Sequence, residues 1–357
     1  MSIPDSVLNS IARRCGVSSI QSTDTIQTLW GGYGTLFRAH LCQEQQKHAD
    51  PESVIAKYIA LPQPKYHPRG WNTSLSHQRK LDSYQVEVNW YQNYANQCHS
   101  QCYVPKCLHV EHFDNEILVV LEDLATAGFP RVLKEAEQAE INACLQWLAY
   151  FHAQHLAVEP QGLWACGTYW HLETRPDELK ALSDVELKQS AGLIDRTLQH
   201  CRFQTLVHGD AKLANFCFSE AQDPVQAAAV DFQYVGRGCG MKDVILLLSS
   251  VLDFDSAEQV VPDFLDYYFQ ALEKALAECQ PMLSVEERQA VEQEWRPIYC
   301  VAWADFQRFV KGWSPEHWKI NPYTERLTRQ ALVQLGAVTE RSVEKGKPNK
   351  GSEDATD

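Results

Sequence analysis

The stretch His208-Gly209-Asp210-Ala211-Lys212-Leu213-Ala214-Asn215 puts a carboxylate and, five positions later, a carboxamide on one short loop. An Asp there can accept or orient the proton of an attacking hydroxyl, and an Asn carbonyl oxygen can ligate Mg²⁺ without adding charge. The plainer alternative is a turn whose Asp and Asn only cap backbone groups. A second acid stands in Val230-Asp231-Phe232-Gln233, at the end of an apolar run. It is placed to bridge Mg²⁺ to the β- and γ-phosphates of a nucleotide. One Asp at a strand end is common; two on successive strands at this separation are hard to obtain by accident. Lys57 is the single charge within Val54-Ile55-Ala56-Lys57-Tyr58-Ile59. It either snorkels to solvent or contacts phosphate. Gly32-Tyr33-Gly34 is the fourth group, where missing Cβ atoms would let backbone N–H groups approach phosphate. A third Gly is absent, position 37 being Phe37, and a plain hairpin turn reads the same way. Phosphoryl transfer from ATP needs a cover over the phosphates, a cation on them, oxygen ligands for Mg²⁺ and a carboxylate near the acceptor hydroxyl. The chain holds candidates for each.

These groups need elements to position them. Residues 25–29 read as a strand entering the Gly-rich turn, 36–41 as the strand leaving it, and 53–59 as a third after a polar connector over 43–52. Pro62, Pro64, Pro68 and Gly70 mark 61–81 as a long loop. Tyr84, Val88, Tyr91 and Ala95 fall on one helical stripe within 82–98, with Glu87 off it. Glu87 is either the partner of Lys57 or part of a solvated face. Another strand over 117–121 leads directly into Glu122-Asp123-Leu124. From Ala136 the spacing turns helical, through Ile141, Cys144, Leu145, Leu148, Phe151 and His152. Short strands follow at 206–207, 215–218 and 228–230, the last two joined by a turn containing Asp223-Pro224. Helices are predicted over 243–253, 257–279, 285–312 and 323–335. The expected fold class is therefore α+β and two-lobed. A small sheet lobe over 1–124 would bind nucleotide, and a larger, mostly helical lobe over 125–341 would carry catalysis and the acceptor. The polar tail, 342–357, reads as frayed.

Composition bounds the partners. The chain has 357 residues, 45% hydrophobic and 22% charged, with net charge −14. Such acidity argues against nucleic acid as a partner and is compatible with a cationic substrate. Residues 1–16 hold no continuous apolar region, and the apolar run 244–252 is too short to span a bilayer. A cytoplasmic protein with no membrane partner is expected. The 12 cysteines are scattered, as reduced thiols would be. Cys98, Cys102 and Cys107 lie near His99, His109 and His112, but their irregular spacing favours ordinary packing over zinc.

At these residues the chain resembles the aminoglycoside phosphotransferase and choline kinase superfamily, and most closely its ecdysteroid-kinase-like (CHK kinase-like) branch. The resemblance is carried by Leu206-Val207-His208-Gly209-Asp210, by Asp231-Phe232-Gln233 in place of Asp-Phe-Gly, and by Val119-Val120-Leu121-Glu122-Asp123-Leu124. The Asp210-to-Asn215 spacing is also that of the protein-kinase catalytic loop. The resemblance implies a protein-kinase-like fold and an ATP-dependent, Mg²⁺-assisted small-molecule kinase acting on a substrate hydroxyl. It implies Asp210 as base, Asn215 and Asp231 as metal ligands, Lys57 on the nucleotide phosphates and Glu87 as its partner. Glu122 and Leu124 would offer backbone groups to adenine, and Gly32 and Gly34 would cover the phosphates. Lys212 either neutralises the transferring phosphate or only pairs with an acid. Asp243 reads as a brace for the catalytic loop or as a helix N-cap. Gly209 stands where protein kinases have the Arg through which activation-loop phosphorylation works, so no such switch is expected. Gln233 in place of Gly removes a hinge beside Asp231.

For the acceptor, Trp164, Tyr169 and Trp170, with Trp303, Asp305, Trp313 and Trp318, either line a pocket or belong to the core. Aromatic faces plus Asp305 would hold an amine; aromatic faces alone would suit a steroid or terpenoid. The rival readings are an aminoglycoside or choline kinase proper, and a catalytically silent nucleotide-binding module of the same fold. The acceptor, the choice between ATP and GTP, and the oligomeric state stay open.

Overall fold

In the computed structural model the described residues are 3–42, 51–60, 74–220 and 224–338. The connector expected over 43–52, most of the loop over 61–81, the turn at Asp223 and the tail over 342–357 fall wholly or largely outside them.

The chain opens with α1 (Asp5–Cys15), which sequence reasoning missed. Only Val7 and Ile11 make a fully buried apolar stripe on it, too little to stand out from polar surroundings. Gly16, at φ +70°, closes the helix by donating to Ala12 and Arg13 carbonyls. Five antiparallel strands follow: β1 (Ile20–Thr28), β2 (Gly34–Leu41), β3 (Ser53–Ala60), β4 (Cys107–Phe113) and β5 (Glu116–Glu122). They are ordered β1-β2-β3-β5-β4. Side chains alternate across a strand, so each face of this sheet has its own core. Phe37, Ala39, Val54, Ala56, Leu118 and Val120 pack with α1 on one face. Ile59, Ile117, Val119 and Leu121 pack on the other, toward α2 (Ser74–Asn93).

Helix α2 departs from expectation at both ends. It begins within the stretch read as loop, and it ends before Ala95, which is buried in a short 3₁₀ turn. Glu87 is also not off the buried stripe. Tyr84, Glu87, Val88 and Tyr91 stand at i, i+3, i+4 and i+7 on one face, and all four are buried.

Beyond β5 the chain is mainly helical, through α3 (Gln138–Gln154), α4 (Pro176–Ala181) and α5 (Val185–Gln199), then α6 (Met241–Val251), α7 (Ala257–Cys279), α8 (Val285–Trp313) and α9 (Pro322–Gln334). Helices α4 and α5 were not anticipated. Asp184 caps α5 by accepting from the Leu187 N–H, and the capping box of Ser284 and Glu287 starts α8. Two short ribbons interrupt the helices. β6 (Thr205–Val207) pairs with β9 (Gly236–Gly238), and β7 (Phe216–Phe218) pairs with β8 (Ala227–Ala229). Residues 208–215 and 230–235 are the loops between these strands, so both acid-bearing segments are held at both ends. The fold is that expected for the kinase-like class, a five-stranded antiparallel sheet followed by a mostly helical region.

Candidate active site

Lys57 lies on β3 on the same face as Ile55 and Ile59, which turns it inward. It is 5% exposed, so the snorkelling alternative is excluded. Its Nζ donates to Glu87 Oε2 at 2.7 Å, to Glu87 Oε1 at 2.8 Å and to Asp231 Oδ1 at 3.3 Å. One ammonium thus joins the sheet, α2 and the segment after β8. Burial opposes the charge on Lys57, but Asp231 and Glu87 outweigh it and its pKa is raised. For Asp231, burial again works against the charge. Lys57, Lys80 and Lys212 together hold its carboxyl well below the usual range.

Asp231 itself sits at φ +69°, a left-handed conformation that non-glycine residues adopt at a cost of about 1–3 kcal/mol. Its neighbours hold it there. Gln233 Nε2 donates to Asp231 Oδ1 at 2.6 Å, while Gln233 Oε1 accepts from Lys80 at 2.6 Å and from Ser83 at 3.2 Å. Phe232 is fully buried, with its ring stacked 4.5 Å from Trp90 and a further 4.5 Å contact to His208. The Gln in this motif is therefore an anchor as well as a lost hinge. Helix α6 opens at Met241, directly after β9, so no activation segment intervenes.

Asp210 is buried with its two oxygens in different states. Oδ2 accepts from Lys212 Nζ at 2.9 Å and from Asn215 Nδ2 at 3.1 Å. Oδ1 is buried and has no hydrogen-bond partner among the described residues. A buried, unpartnered carboxylate oxygen is costly unless something is to be placed against it. Burial pushes the Asp210 pKa up, and the charge on Asp231 adds to this, with Lys212 pulling the other way. The Asn215 side chain donates through Nδ2, which also bonds the Asp210 carbonyl at 2.8 Å. Its carbonyl oxygen is the atom left for a cation. Asn215 and Asp231 are tied by a backbone bond, Val230 N–H to Asn215 O, at 2.9 Å. Oxygen-only donors of this kind suit Mg²⁺.

The loop geometry has a specific cause. Asp243 Oδ2 accepts from the His208 N–H at 2.6 Å, and Oδ1 from the Gly209 N–H at 2.9 Å. His152 Nε2 lies 3.1 Å from the same carboxylate. Asp243 therefore braces the loop, and Gly240 occupies the N-cap of α6. Gly209 has φ +80°, and a Cβ there would meet the Tyr234 carbonyl at 2.0 Å. Only Gly fits.

The Gly-rich turn is less simple than expected. Gly34 is required by crowding, because a Cβ would lie 2.0 Å from the Tyr58 carbonyl. Gly32 has φ +78° and open space beside it, but its N–H donates to the Leu29 carbonyl at 3.0 Å. At the lobe junction, the Glu122 carboxylate takes Tyr103 OH at 2.8 Å and Lys106 Nζ at 3.1 Å. Asp123 accepts from Arg38 Nε at 2.6 Å and Ser53 Oγ at 2.6 Å, pinning the junction to β2 and β3. Among the described residues no hydrogen bond takes up the Leu124 N–H.

The aromatic residues read as either pocket lining or core take several different positions. Trp170 and Trp303 are core, and Asp305 is buried between Trp170 Nε1 at 2.9 Å and Arg308 Nη2 at 2.7 Å. Trp164 is half-buried and donates to the Gln233 carbonyl, and Trp313 stacks on Phe309. Two lysines near the acids were missed by sequence reasoning. Lys80 was hidden because the helix start was read as loop, though Lys80, Tyr84 and Glu87 share a helical face. Lys319 donates to Ser249 Oγ at 2.9 Å beneath the rings of Phe306 and Trp318. Burial lowers its pKa to about 8, with the Asp210 carboxylate opposing and Lys212 reinforcing the shift. No spacing signal marked it.

No curated protein sequence matches this chain. Among solved structures, a microcompartment-associated aminopropanol kinase superposes with a TM-score of 0.50 at 13% identity, over 96% of this chain and 98% of its own. A candidate aminoglycoside phosphotransferase from Ralstonia eutropha JMP134 gives 0.50 at 13% identity, over 97% and 100%. These likenesses bear on the fold. The ecdysteroid kinase-like family profile matches residues 33–162 and 167–281, which takes in Lys57, Glu87, Asp210, Asn215 and Asp231. Most of the chain is covered by that match, and the chain belongs to the ecdysteroid kinase-like family of small-molecule kinases.

Proposed function

We propose that the chain transfers the γ-phosphate of ATP to a hydroxyl of a small molecule, with Asp210 as the catalytic base. The observation that carries this is the buried Oδ1 of Asp210, without a hydrogen-bond partner among the described residues, beside Asn215 and with Lys57 reaching Asp231. The acceptor hydroxyl donates its proton to that oxygen and is thereby aligned on the phosphorus. Mg²⁺, held by Asn215 and Asp231, supplies charge neutralisation on the phosphates when bound. Lys57 binds phosphate oxygens and is oriented by Glu87. Lys212 faces the transferring group from the other side of Asp210. The Gly32–Gly34 turn covers the phosphates, and the Leu124 N–H and Glu122 carbonyl meet adenine. On this reading residues 1–124 bind nucleotide, and 125–341 carry catalysis and the acceptor.

The charges favour an uncharged or anionic alcohol over a protonated amine. Asp305, the carboxylate suited to an amine, is taken by Arg308, and Lys212 and Lys319 stand in the field of Asp210. The test is coupled ADP release over sterols, neutral polyols, hydroxy acids, amino alcohols and aminoglycosides, with Mg²⁺ present. Turnover with a non-amine alcohol, lost in Asp210→Ala and Asp231→Ala, is expected. Turnover that survives both changes would remove the mechanism, and activity confined to amines would remove the acceptor class. Thermal shift with ATP separates an enzyme from a silent module: stabilisation should require Mg²⁺ and vanish in Asp231→Ala.

A further inference from the structure

Cys166, His171 and Asp195 form a second cluster, outside the phosphoryl-transfer machinery. One ligand atom from each lies within 4.8 Å of the other two. The three come from separate elements. Cys166 sits on the segment paired to β9, where Trp164 N–H donates to Val235 O at 3.1 Å and Gly167 N–H to Arg237 O at 2.8 Å. His171 follows Trp170 in a tight turn, and Asp195 projects from α5. His171 is 6% exposed, and its Nδ1 has no hydrogen-bond partner among the described residues. That nitrogen is 3.6 Å from Asp195 Oδ1, too far for a hydrogen bond but close to the separation of two ligands on one ion. The exposed Glu173 carboxylate lies 3.7 Å from His171 Nε2.

We propose that this cluster is a zinc site, with Cys166 Sγ, His171 Nδ1 and Asp195 Oδ as three protein ligands. Zinc takes sulfur, imidazole nitrogen and carboxylate oxygen at about 2.0–2.3 Å in a tetrahedron, which sets ligand atoms about 3.5 Å apart. From a spread within 4.8 Å the cluster needs contraction of at most about 1.3 Å, within reach of side-chain rotation. A thiolate and a carboxylate together neutralise the dication. Lys242 Nζ lies 3.5 Å from Cys166 Sγ. It donates to the Gly167 carbonyl at 3.2 Å and shares its charge with Asp305 at 4.0 Å, so it can donate to the thiolate from outside the metal shell. A small cavity open to solvent reaches the cluster from the thiol side, lined by Cys166 with Lys242, Gln199 and Arg237. The hard, all-oxygen set at Asn215 and Asp231 would not compete for this ion in the same geometry. A bound metal would tie α5 to the 166–171 segment. Tyr169 N–H donates to the Gly209 carbonyl at 3.2 Å, so the metal would stiffen the support of the catalytic loop.

The test uses the full chain, freed of metal by chelator, titrated with Co²⁺ in excess Mg²⁺. One equivalent should produce a thiolate-to-cobalt charge-transfer band with strong tetrahedral d–d absorption, and Zn²⁺ should bleach both. Cys166→Ser should abolish the charge-transfer band. Asp195→Asn, which retains the thiol, should weaken Co²⁺ binding at least tenfold, and Cys15→Ser should change nothing. Zn²⁺ should raise the melting temperature of the unchanged chain and not that of Asp195→Asn, whose fold is checked by circular dichroism. A wild-type chain with no thiolate band, or a band that persists in Cys166→Ser, overturns the proposal. Neither readout depends on phosphotransferase activity.

Discussion

At the level of single residues, the proposed mechanism makes the acid pair and the lysines around it the source of the chemistry and of its pH dependence. Asp210→Ala should lower kcat by about 10²–10⁴ with little change in nucleotide affinity, read by steady-state kinetics. Because burial and Asp231 raise the Asp210 pKa, activity should fall on the acid side at a pH above the ordinary Asp range. Lys212 opposes that shift, so Lys212→Met should move the acid limb of kcat/KM to still higher pH. A limb that stays in place would make Lys212 a bystander. Lys319 gives a stability prediction with a definite sign. Its folded pKa is about 8, against about 10.4 in an unfolded chain. Between those values the unfolded state binds the extra proton, so wild-type stability rises with pH there, and below about 8 the full penalty is present. Lys319→Met should therefore raise the melting temperature at pH 7, and the advantage should shrink as pH approaches 10. The main candidate residues could be picked out in sequence because Asp210 and Asn215 share one loop and Asp231 ends an apolar run. Lys319 was not, since only folding brings it near Asp210.

At the level of elements, the short ribbons and α2 hold these residues in register. Gly209→Ala would drive a methyl into the Tyr234 carbonyl, and a destabilisation of about 2 kcal/mol or more is expected in denaturant melts. Trp90→Ala would remove the ring that stacks on Phe232 and should cost about 3–5 kcal/mol. The stronger elements could be read from spacing, as α7 shows, where the predicted bounds and the helix coincide. The failures share a cause. Helix α1 buries few side chains, β4 pairs with β5 across a register shift, and the prolines before α2 mask its first turns. Glu87 was read as lying off the apolar stripe, though kept as a candidate partner of Lys57, because a charged residue is ordinarily counted as polar surface. Here its partner Lys57 is buried with it, and an ion pair can occupy a core stripe where a lone carboxylate cannot.

Across the whole molecule, α2 is bonded to the helical lobe along its length. Arg79 Nη1 donates to the Thr174 carbonyl at 2.6 Å, Lys80 to Gln233 at 2.6 Å, Asn89 Nδ2 to the Gly162 carbonyl at 2.8 Å and Tyr94 OH to the Gln161 carbonyl at 3.0 Å. With Lys57 bonded to both Glu87 and Asp231, the helix is already fixed against the candidate site. Hydrogen exchange should therefore show ATP protecting the 29–34 turn while α2 amides keep their unliganded rates; strong new protection along α2 would contradict this. The seating of Phe232 between Trp90 and His208 has a pharmacological corollary. In a kinase whose corresponding ring can vacate its slot, a compound can wedge in behind it and trap a disabled enzyme. Here the slot is filled by stacked rings and the following Gln is tied at both ends, so inhibitors of this chain must compete for the nucleotide or the acceptor.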